Sequence, residues 1–345
     1  MKSERKSLKR KKRKINKKSK TVIPKKFKTN KRIFYCFISS FLIFMSIIFT
    51  FIILRYKNYQ KIYNKDWNIK ELIQKDINLE QDACIFIKYK LKKRTQPLDY
   101  ENELFFILAL ISCRIPFSFI RFADGEEFIL RGTTLNQKLD HWYWDPKHDK
   151  FRQSLIESTS ICTTPNNFIA IPCKNWEAIS QSIISYSRCT SSQFMSYSML
   201  FVNKNFENFK DWILRFIDSS NRWKIILVAN SIINKNISWA YKYFPIPDHV
   251  VDNWESISSS LLPKLTDEAK QNNLIFFISG GPAADIIISY LIKINKKNIY
   301  LDLGSSIEFI TKGYSTRSYL NKNSVHALKG CECFYLKNKT VIYTD

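Results

Sequence analysis

Glycine is scarce in this chain, with 7 in 345 residues. That scarcity excludes a glycine-rich dinucleotide loop of the G-x-G-x-x-G kind, and none is present. Histidine is nearly as rare, at four. No His-Glu-x-x-His zinc motif, no Ser-His-Asp order and no Walker phosphate loop occurs. Internal repeats are also missing, which excludes a solenoid or propeller. Residues 33–54 lack any charge, and residues 1–32 carry 17 Lys or Arg against one acid, Glu4.

The uncharged run reads IFYCFISSFLIFMSIIFTFIIL, 22 residues. A helix rises about 1.5 Å per residue, so the run can cross a hydrocarbon core of about 30 Å. A cleaved signal peptide would have an apolar core of about 7–15 residues and small residues after it. Here Arg55, Tyr56 and Lys57 follow a longer core, which favours an uncleaved signal-anchor helix. The basic residues before it predict a cytoplasmic tail by the positive-inside bias. The expected protein is a single-pass type II membrane protein. Its C-terminal domain would be lumenal or extracellular, in the endoplasmic reticulum or Golgi for example.

The net charge of +25 raises the question of nucleic acid. The tail accounts for +16 of it, leaving +9 over the remaining 313 residues. A lysine run beside a membrane span is explained by topology and anionic lipid, so no nucleic-acid partner is expected. The layout reads as a basic tail (1–32), an anchor (33–54), a stalk or linker (55–97) and one domain (98–345). Phe and Tyr number 43 together, enough for a sizeable core.

Seven cysteines follow the anchor: Cys84, Cys113, Cys162, Cys173, Cys189, Cys331 and Cys333. An odd number cannot all pair within the chain, and the pairing cannot be read from spacing. Cys331-Glu332-Cys333 looks like half a metal site without a second half. Asn236-Ile237-Ser238 and Asn338-Lys339-Thr340 fit the glycosylation sequon, which would make the chain a glycoprotein.

Short apolar runs at 117–122, 168–171, 225–229, 274–278 and 298–303 read as buried strands. Helical patterns at 101–113, 176–187, 206–218, 238–244, 253–272 and 283–294 lie between and around them. This alternation predicts an α/β domain, Rossmann-like, with a largely parallel sheet flanked by helices.

Two constellations could carry chemistry. Asp124-Gly125-Glu126, with Glu127 next, follows the first strand. Ligands of open α/β sheets bind at the carboxyl ends of strands. An Asp-x-Glu pair on a turning or extended backbone can aim two carboxylates at one hard cation. The bland alternative is a solvated acidic turn. The second constellation is Ser279-Gly280-Gly281-Pro282-Ala283-Ala284-Asp285, between a strand and a helix. Backbone N–H groups at such a helix start can hold phosphate. Asp285 there would suit the helix dipole but oppose a phosphate. Asp302 ends the next strand, where a ribose-binding acid often sits. Arg121 and Arg131 flank the acidic turn. His141-Trp142-Tyr143-Trp144-Asp145 could stack on a sugar or base, or be packing. Thr316-Arg317-Ser318-Tyr319 follows the last strand and could return over the site. His249 and His326 stand alone.

Arg121-Phe122-Ala123-Asp124-Gly125-Glu126 resembles the R-[FY]-G-D-G-E signature of the GT-D-type glycosyltransferases. Phe277 to Asp285, leading to Tyr300-Leu301-Asp302-Leu303-Gly304, resembles that family's G-P-x-A helix start and D-x-G strand end. One position departs: Ala123 stands where Gly is usual. The resemblance covers residues 100–320 approximately. It implies a Rossmann-like fold, a nucleotide-sugar donor, a glycan, protein or lipid acceptor, and Mn²⁺ or Mg²⁺ at Asp124 and Glu126. Arg121, Gly125, Gly280, Gly281, Asp302 and Arg317 would then line the nucleotide-sugar site. Glu127 or Asp302 would accept the acceptor's proton. Two other readings stay open on the residues alone. One is a different Rossmann-like transferase, such as a methyltransferase. The other is a non-enzymatic membrane-anchored binding protein.

Overall fold

The computed structural model describes residues 31–345 except 66, 138–141, 220–222, 234–235, 316, 322, 326–327 and 345. Most of the basic tail, His141, Thr316 and His326 therefore lie outside the described residues, as do the side chains of Trp142 and Tyr319. The chain falls into two compact units, Met1–Lys61 and Ile62–Asp345.

Helix α1 (Lys31–Asn64) contains the apolar run, continues past it and ends within the first residues of the second unit. Among the described residues, Phe37–Asn64 is the one helical stretch long and apolar enough to cross a membrane. Phe37, Phe41, Phe44, Phe49 and Phe51 are all exposed, as expected of side chains with no protein core to bury them.

The second unit holds the remaining elements. In chain order these are α2 (Ile69–Lys75), α3 (Gln81–Lys93), α4 (Tyr100–Ser112), β1 (Ser118–Arg121), α5 (Asp124–Arg131), β2 (Leu135–Gln137) and β3 (Trp142–Trp144). Then come α6 (Asp149–Ser158), β4 (Asn167–Ile171), α7 (Glu177–Tyr186), β5 (Met195–Tyr197), α8 (Phe206–Asp218), β6 (Lys224–Asn230) and β7 (Lys242–Ile246). The chain closes with α9 (Trp254–Ala269), β8 (Leu274–Ile278), α10 (Pro282–Ile294), β9 (Ile299–Asp302), α11 (Glu308–Thr311) and the hairpin of β10 (Cys333–Lys337) and β11 (Thr340–Thr344).

Seven strands form one sheet in the order β5-β4-β1-β9-β8-β6-β7. Every pairing in it is parallel. A parallel sheet is covered on both faces, which is why β4 and β8 are buried throughout and read as continuous apolar runs. The order divides the sheet. Strands β5, β4 and β1 make one half, strands β9, β8, β6 and β7 the other, and β1 meets β9 at the seam. All seven strands point the same way, so their carboxyl ends share one edge.

Three sequence expectations change. The helix expected at 238–244 is the edge strand β7, parallel to β6 with Ala229 opposite Pro245. Proline disfavours helix in the residue before it and is tolerated on sheet edges, so Phe244-Pro245 selects strand. The acidic motif is not a turning or extended segment but the first turn of α5. The stalk is shorter than 55–97, because the globular unit begins at Ile62. Ile73, Phe86, Ile87 and Leu91 of α2 and α3 are core residues.

A buried ion pair fastens that segment. Arg94 donates to both Glu103 carboxylate oxygens at 2.7 and 2.8 Å, and to the carbonyls of Gln193 and Met195. Glu103 also accepts from Ser196 Oγ and the Leu98 N–H. Removing one member leaves an uncompensated buried charge. Glu103→Ala should therefore cost about 3–5 kcal/mol of unfolding free energy, measured by urea titration. A cost under about 1 kcal/mol would show that the segment before residue 98 is not integral to the fold.

Candidate functional site at the carboxyl edge of the sheet

β1 ends on Arg121, β9 ends on Asp302, and β8 runs into Ser279-Gly280-Gly281. The three strands are neighbours, so Arg121, Asp302 and the glycine turn meet at one edge. Arg121 Nε lies 3.0 Å from Asp302 Oδ2, across the seam. Arg121 also donates to the Ser198 carbonyl at 3.3 Å, just beyond β5. Its backbone N–H donates to Asp285 Oδ1 at 3.2 Å, in the first turn of α10.

Asp302 accepts a second bond, from the Gly304 N–H at 2.9 Å. Gly304 has φ of +48°, and a Cβ there would sit 1.8 Å from an Arg121 guanidinium nitrogen. Only glycine lets the backbone pass that close. Ser279 Oγ bonds to the Gly304 carbonyl at 2.7 Å, joining the β8 and β9 loops. Gly281, before α10, has φ of 54° and likewise needs glycine.

The Asp-x-Glu pair sits beside this network. Glu126 turns back and accepts the Ala123 N–H at 2.8 Å, satisfying one free donor of the helix start. Ala123 has φ of −133°, extended backbone open to any residue. The departure from glycine at this position is therefore accommodated without strain. Gly125 and Glu126 are buried while Asp124 is half-exposed, so Asp124 is the member of the pair that reaches outward. Glu127 is buried and pairs with Arg131 at 3.5 Å. Gly280 is half-buried against the side chain of Ile246. Arg317 is half-buried in the segment after α11, its backbone N–H bonded to Ser315 Oγ.

The electrostatics are dominated by acid in a dry place. Burial pushes the Glu126 carboxyl up to about 7, against its own backbone hydrogen bonds, and the charges of Asp302 and Asp124 push the same way. Asp285 is raised well above the ordinary carboxylate range, first by burial, then by Asp302 and Glu126. Asp302 is raised by burial and pulled back by the Arg121 guanidinium and the Gly304 N–H. Asp285 is wholly buried, and its Oδ2 has no hydrogen-bond partner among the described residues.

Asp285 is the residue that sequence reasoning weighed wrongly. The helix-start position suggested an acid that would repel phosphate. The structure turns it inward to the Arg121 backbone instead. Its only sequence signal was an acid in an otherwise apolar helix start.

The aromatic run also meets this edge. The Tyr143 N–H donates to Asp252 Oδ1 at 2.8 Å, in the loop after β7, where His249 also pairs with Asp252. Trp144 is fully buried and serves packing. Cys331 is bonded to Cys173, so Cys331-Glu332-Cys333 is not half of a metal site. Cys84–Cys113 and Cys162–Cys189 form two further disulfides, and Cys333 keeps its thiol. A cavity of about 640 Å³ lies at the opposite, amino end of the strands, lined by Phe117, Asn167 and Asn298 among others.

No family model matches the chain, and no curated protein matches it. Two solved structures are similar to it. One is a selenomethionine-substituted domain of unknown function 1792 (DUF1792), 14% identical with a TM-score of 0.43, covering 73% of this chain and 96% of that one. The other is described as the highly conserved domain of unknown function 1792 with a distinct glycosyltransferase fold. It is 15% identical with a TM-score of 0.43, and covers 70% of this chain and 94% of that one. What this chain does has to be read from its own side chains.

The raised Glu126 carboxyl has a measurable consequence. An acid whose folded pKa lies above its unfolded value, here 4.5, binds its proton more tightly when folded. It therefore costs stability progressively as pH rises from about 4.5 to about 7. Glu126→Gln keeps an acceptor for the Ala123 N–H and removes that cost. The variant should melt higher than wild type at pH 8, with the gap closing toward pH 4.5. A gap independent of pH would refute the placement of Glu126 in a desolvated site.

Proposed function

We propose that this chain is a membrane-anchored glycosyltransferase, moving a sugar from a nucleotide-sugar donor to a glycan, protein or lipid acceptor. The observation that carries the reading is the convergence of Arg121, Glu126, Asp302 and the Gly280-Gly281 turn at the carboxyl edge of β1, β9 and β8. Those are the residues through which the sequence resembles GT-D-type enzymes, and they come from segments up to 181 positions apart.

A divalent cation, Mn²⁺ or Mg²⁺, belongs to this reading, and the excess of buried carboxyl groups at the edge supports it. Glu126, Asp285 and Asp302 outnumber the one guanidinium among them, and among the described residues Asp285 Oδ2 is buried without a hydrogen-bond partner. Among the described residues no three acid, histidine or cysteine groups stand together as a ready cage. Mg²⁺ commonly takes one or two carboxylates and completes its shell with substrate phosphate and water. Asp124 and Glu126 would hold it, Asp124 from the open side. When bound, the cation supplies positive charge against the departing diphosphate.

The chain's own groups do the rest. Arg121, held by Asp302 and the Ser198 carbonyl, is a fixed cation beside the site. Asp302 also sets the Gly304 loop through its second oxygen. The Gly280-Gly281 turn and the start of α10 offer backbone N–H groups to the donor, with Gly125 and Arg317 contributing to the same pocket. The proton of the acceptor hydroxyl passes to a carboxylate, for which Glu127 and Asp302 are the candidates.

The test is donor turnover. The full chain in detergent, with Mn²⁺ and a set of nucleotide sugars, should release nucleoside diphosphate. Asp124→Asn and Glu126→Gln should each lower that release about 100-fold or more while the fold persists. Binding of a methyl donor with no affinity for nucleoside diphosphates would overturn the reading in favour of a methyltransferase. Release unchanged in both variants would remove the acids from the chemistry.

The anchor and tail suit a type II protein with this domain lumenal or extracellular. Three disulfides in the globular unit support an oxidising compartment. Both sequon asparagines are exposed, Asn338 at the tip of the β10–β11 hairpin. In a secretory-pathway host, removal of N-linked glycans should shift the chain's mobility, and the shift should vanish in Asn236→Gln/Asn338→Gln. An unshifted chain whose domain is digested by protease from the cytoplasmic side would reverse the topology.

A further inference from the structure

The site edge extends beyond the acids, over the carboxyl end of β4. β4 is the neighbour of β1, with Ala170 opposite Arg121. The chain leaves β4 through Pro172 and Cys173, makes one turn of 3₁₀ helix (Lys174–Trp176), and enters α7. Helices α5 and α7 each start just after the carboxyl end of adjacent parallel strands, and they pack against each other. Trp176, just before α7, and Asp124, at the head of α5, therefore both follow the carboxyl ends of adjacent strands, on the same edge of the sheet.

Trp176 is 47% exposed. Trp144, Trp212, Trp223 and Trp254 are buried and Trp67 and Trp239 are half-buried, so Trp176 is the most open indole among the tryptophans whose side chains are described. The turn carrying it is nonetheless rigidly held. Cys173 is bonded to Cys331. The Pro172 carbonyl accepts from Tyr343 Oη at 2.7 Å and from Ser180 Oγ at 3.0 Å. Tyr343 Oη also lies 2.9 Å from Ser180 Oγ. A mobile loop would expose an aromatic ring by default. Here a disulfide and hydrogen bonds to the Pro172 carbonyl fix the backbone that leads into an uncovered indole, and that is preorganisation of the turn.

An indole face is electron-rich. One face of a pyranose presents C–H groups with partial positive charge while its hydroxyls point outward. The two surfaces are complementary in charge and shape. The donor's diphosphate is assigned to the glycine turn of β8, on the far side of β9 from β4. The β4 side is left for the other substrate.

We propose that Trp176 is a stacking platform for a pyranose ring of the acceptor, which makes the acceptor a glycan rather than a bare protein or lipid hydroxyl. This rests on the glycosyl-transfer reading above.

Two measurements on the full chain in detergent separate the two claims. The first follows tryptophan fluorescence while methyl glycosides of common pyranoses are titrated. A saturable shift is expected in wild type and its loss in Trp176→Ala, with partial retention in Trp176→Phe. The second compares donor hydrolysis without acceptor and transfer to those glycosides. Trp176→Ala should leave hydrolysis within about twofold and raise the acceptor KM about tenfold or more, the size of one lost ring contact. Hydrolysis in wild type with an unchanged acceptor KM in Trp176→Ala overturns the platform and spares the glycosyl-transfer reading. A glycoside-dependent shift through Trp176 with no donor hydrolysis does the reverse. Absence of any shift in wild type overturns the platform outright.

Discussion

One guanidinium set among buried carboxyls organises this domain's working edge. Arg121 ends β1, reaches Asp302 on β9 and the carbonyl beyond β5, and offers its backbone N–H to Asp285 on α10. It thereby closes the seam where the two halves of the sheet meet. Burying acids is costly unless they are paired, hydrogen-bonded or protonated. The fold uses all three devices here: an ion pair for Asp302, a backbone cap for Glu126, and a strongly raised pKa for Asp285. Concentrating that cost at the carboxyl edge, where open α/β sheets bind ligands, is how a site differs from a core.

Elsewhere the structure is conventional in its physics. The sheet is buried on both faces, and its strands are apolar for that reason. Arg94 and Glu103 bind the segment before α4 to β5, while Cys173–Cys331 ties the C-terminal segment to the loop after β4. Pieces that would otherwise dangle from the ends of the chain are thus fixed around the site. The Trp176 turn gains its rigidity from the same fastening.

Legibility followed the range of the interactions. The strands at 274–278 and 225–229 and the helices at 206–218 and 283–294 were readable, because each is set by local apolar pattern and by flanking turns. The pattern at 238–244 does not reveal β7, since seven residues with four aromatics fit either state until Pro245 and the pairing with β6 decide. The first turn of α5 reads from sequence as a turning or extended segment because Asp-Gly-Glu carries no helical apolar signal. Its helix is set by the cap from Glu126 and by burial against neighbours. The β10–β11 hairpin went unread, since its register depends on contacts such as Gln181 with Val341.

By itself the sequence determined the features that need no partner: an uncharged 22-residue run, a one-sided basic tail, and alternating apolar segments that admit little besides an α/β domain with a parallel sheet. It also placed Asp124 and Glu126 just after one strand and Asp302 at the end of another. Only the tertiary structure decided which of these groups share one desolvated volume, that Asp285 joins them, which cysteines pair, and that the fold begins at Ile62. The physical reason is distance along the chain. Arg121 and Asp302 are separated by 181 residues, and a carboxyl's charge state depends on neighbours that only folding brings near.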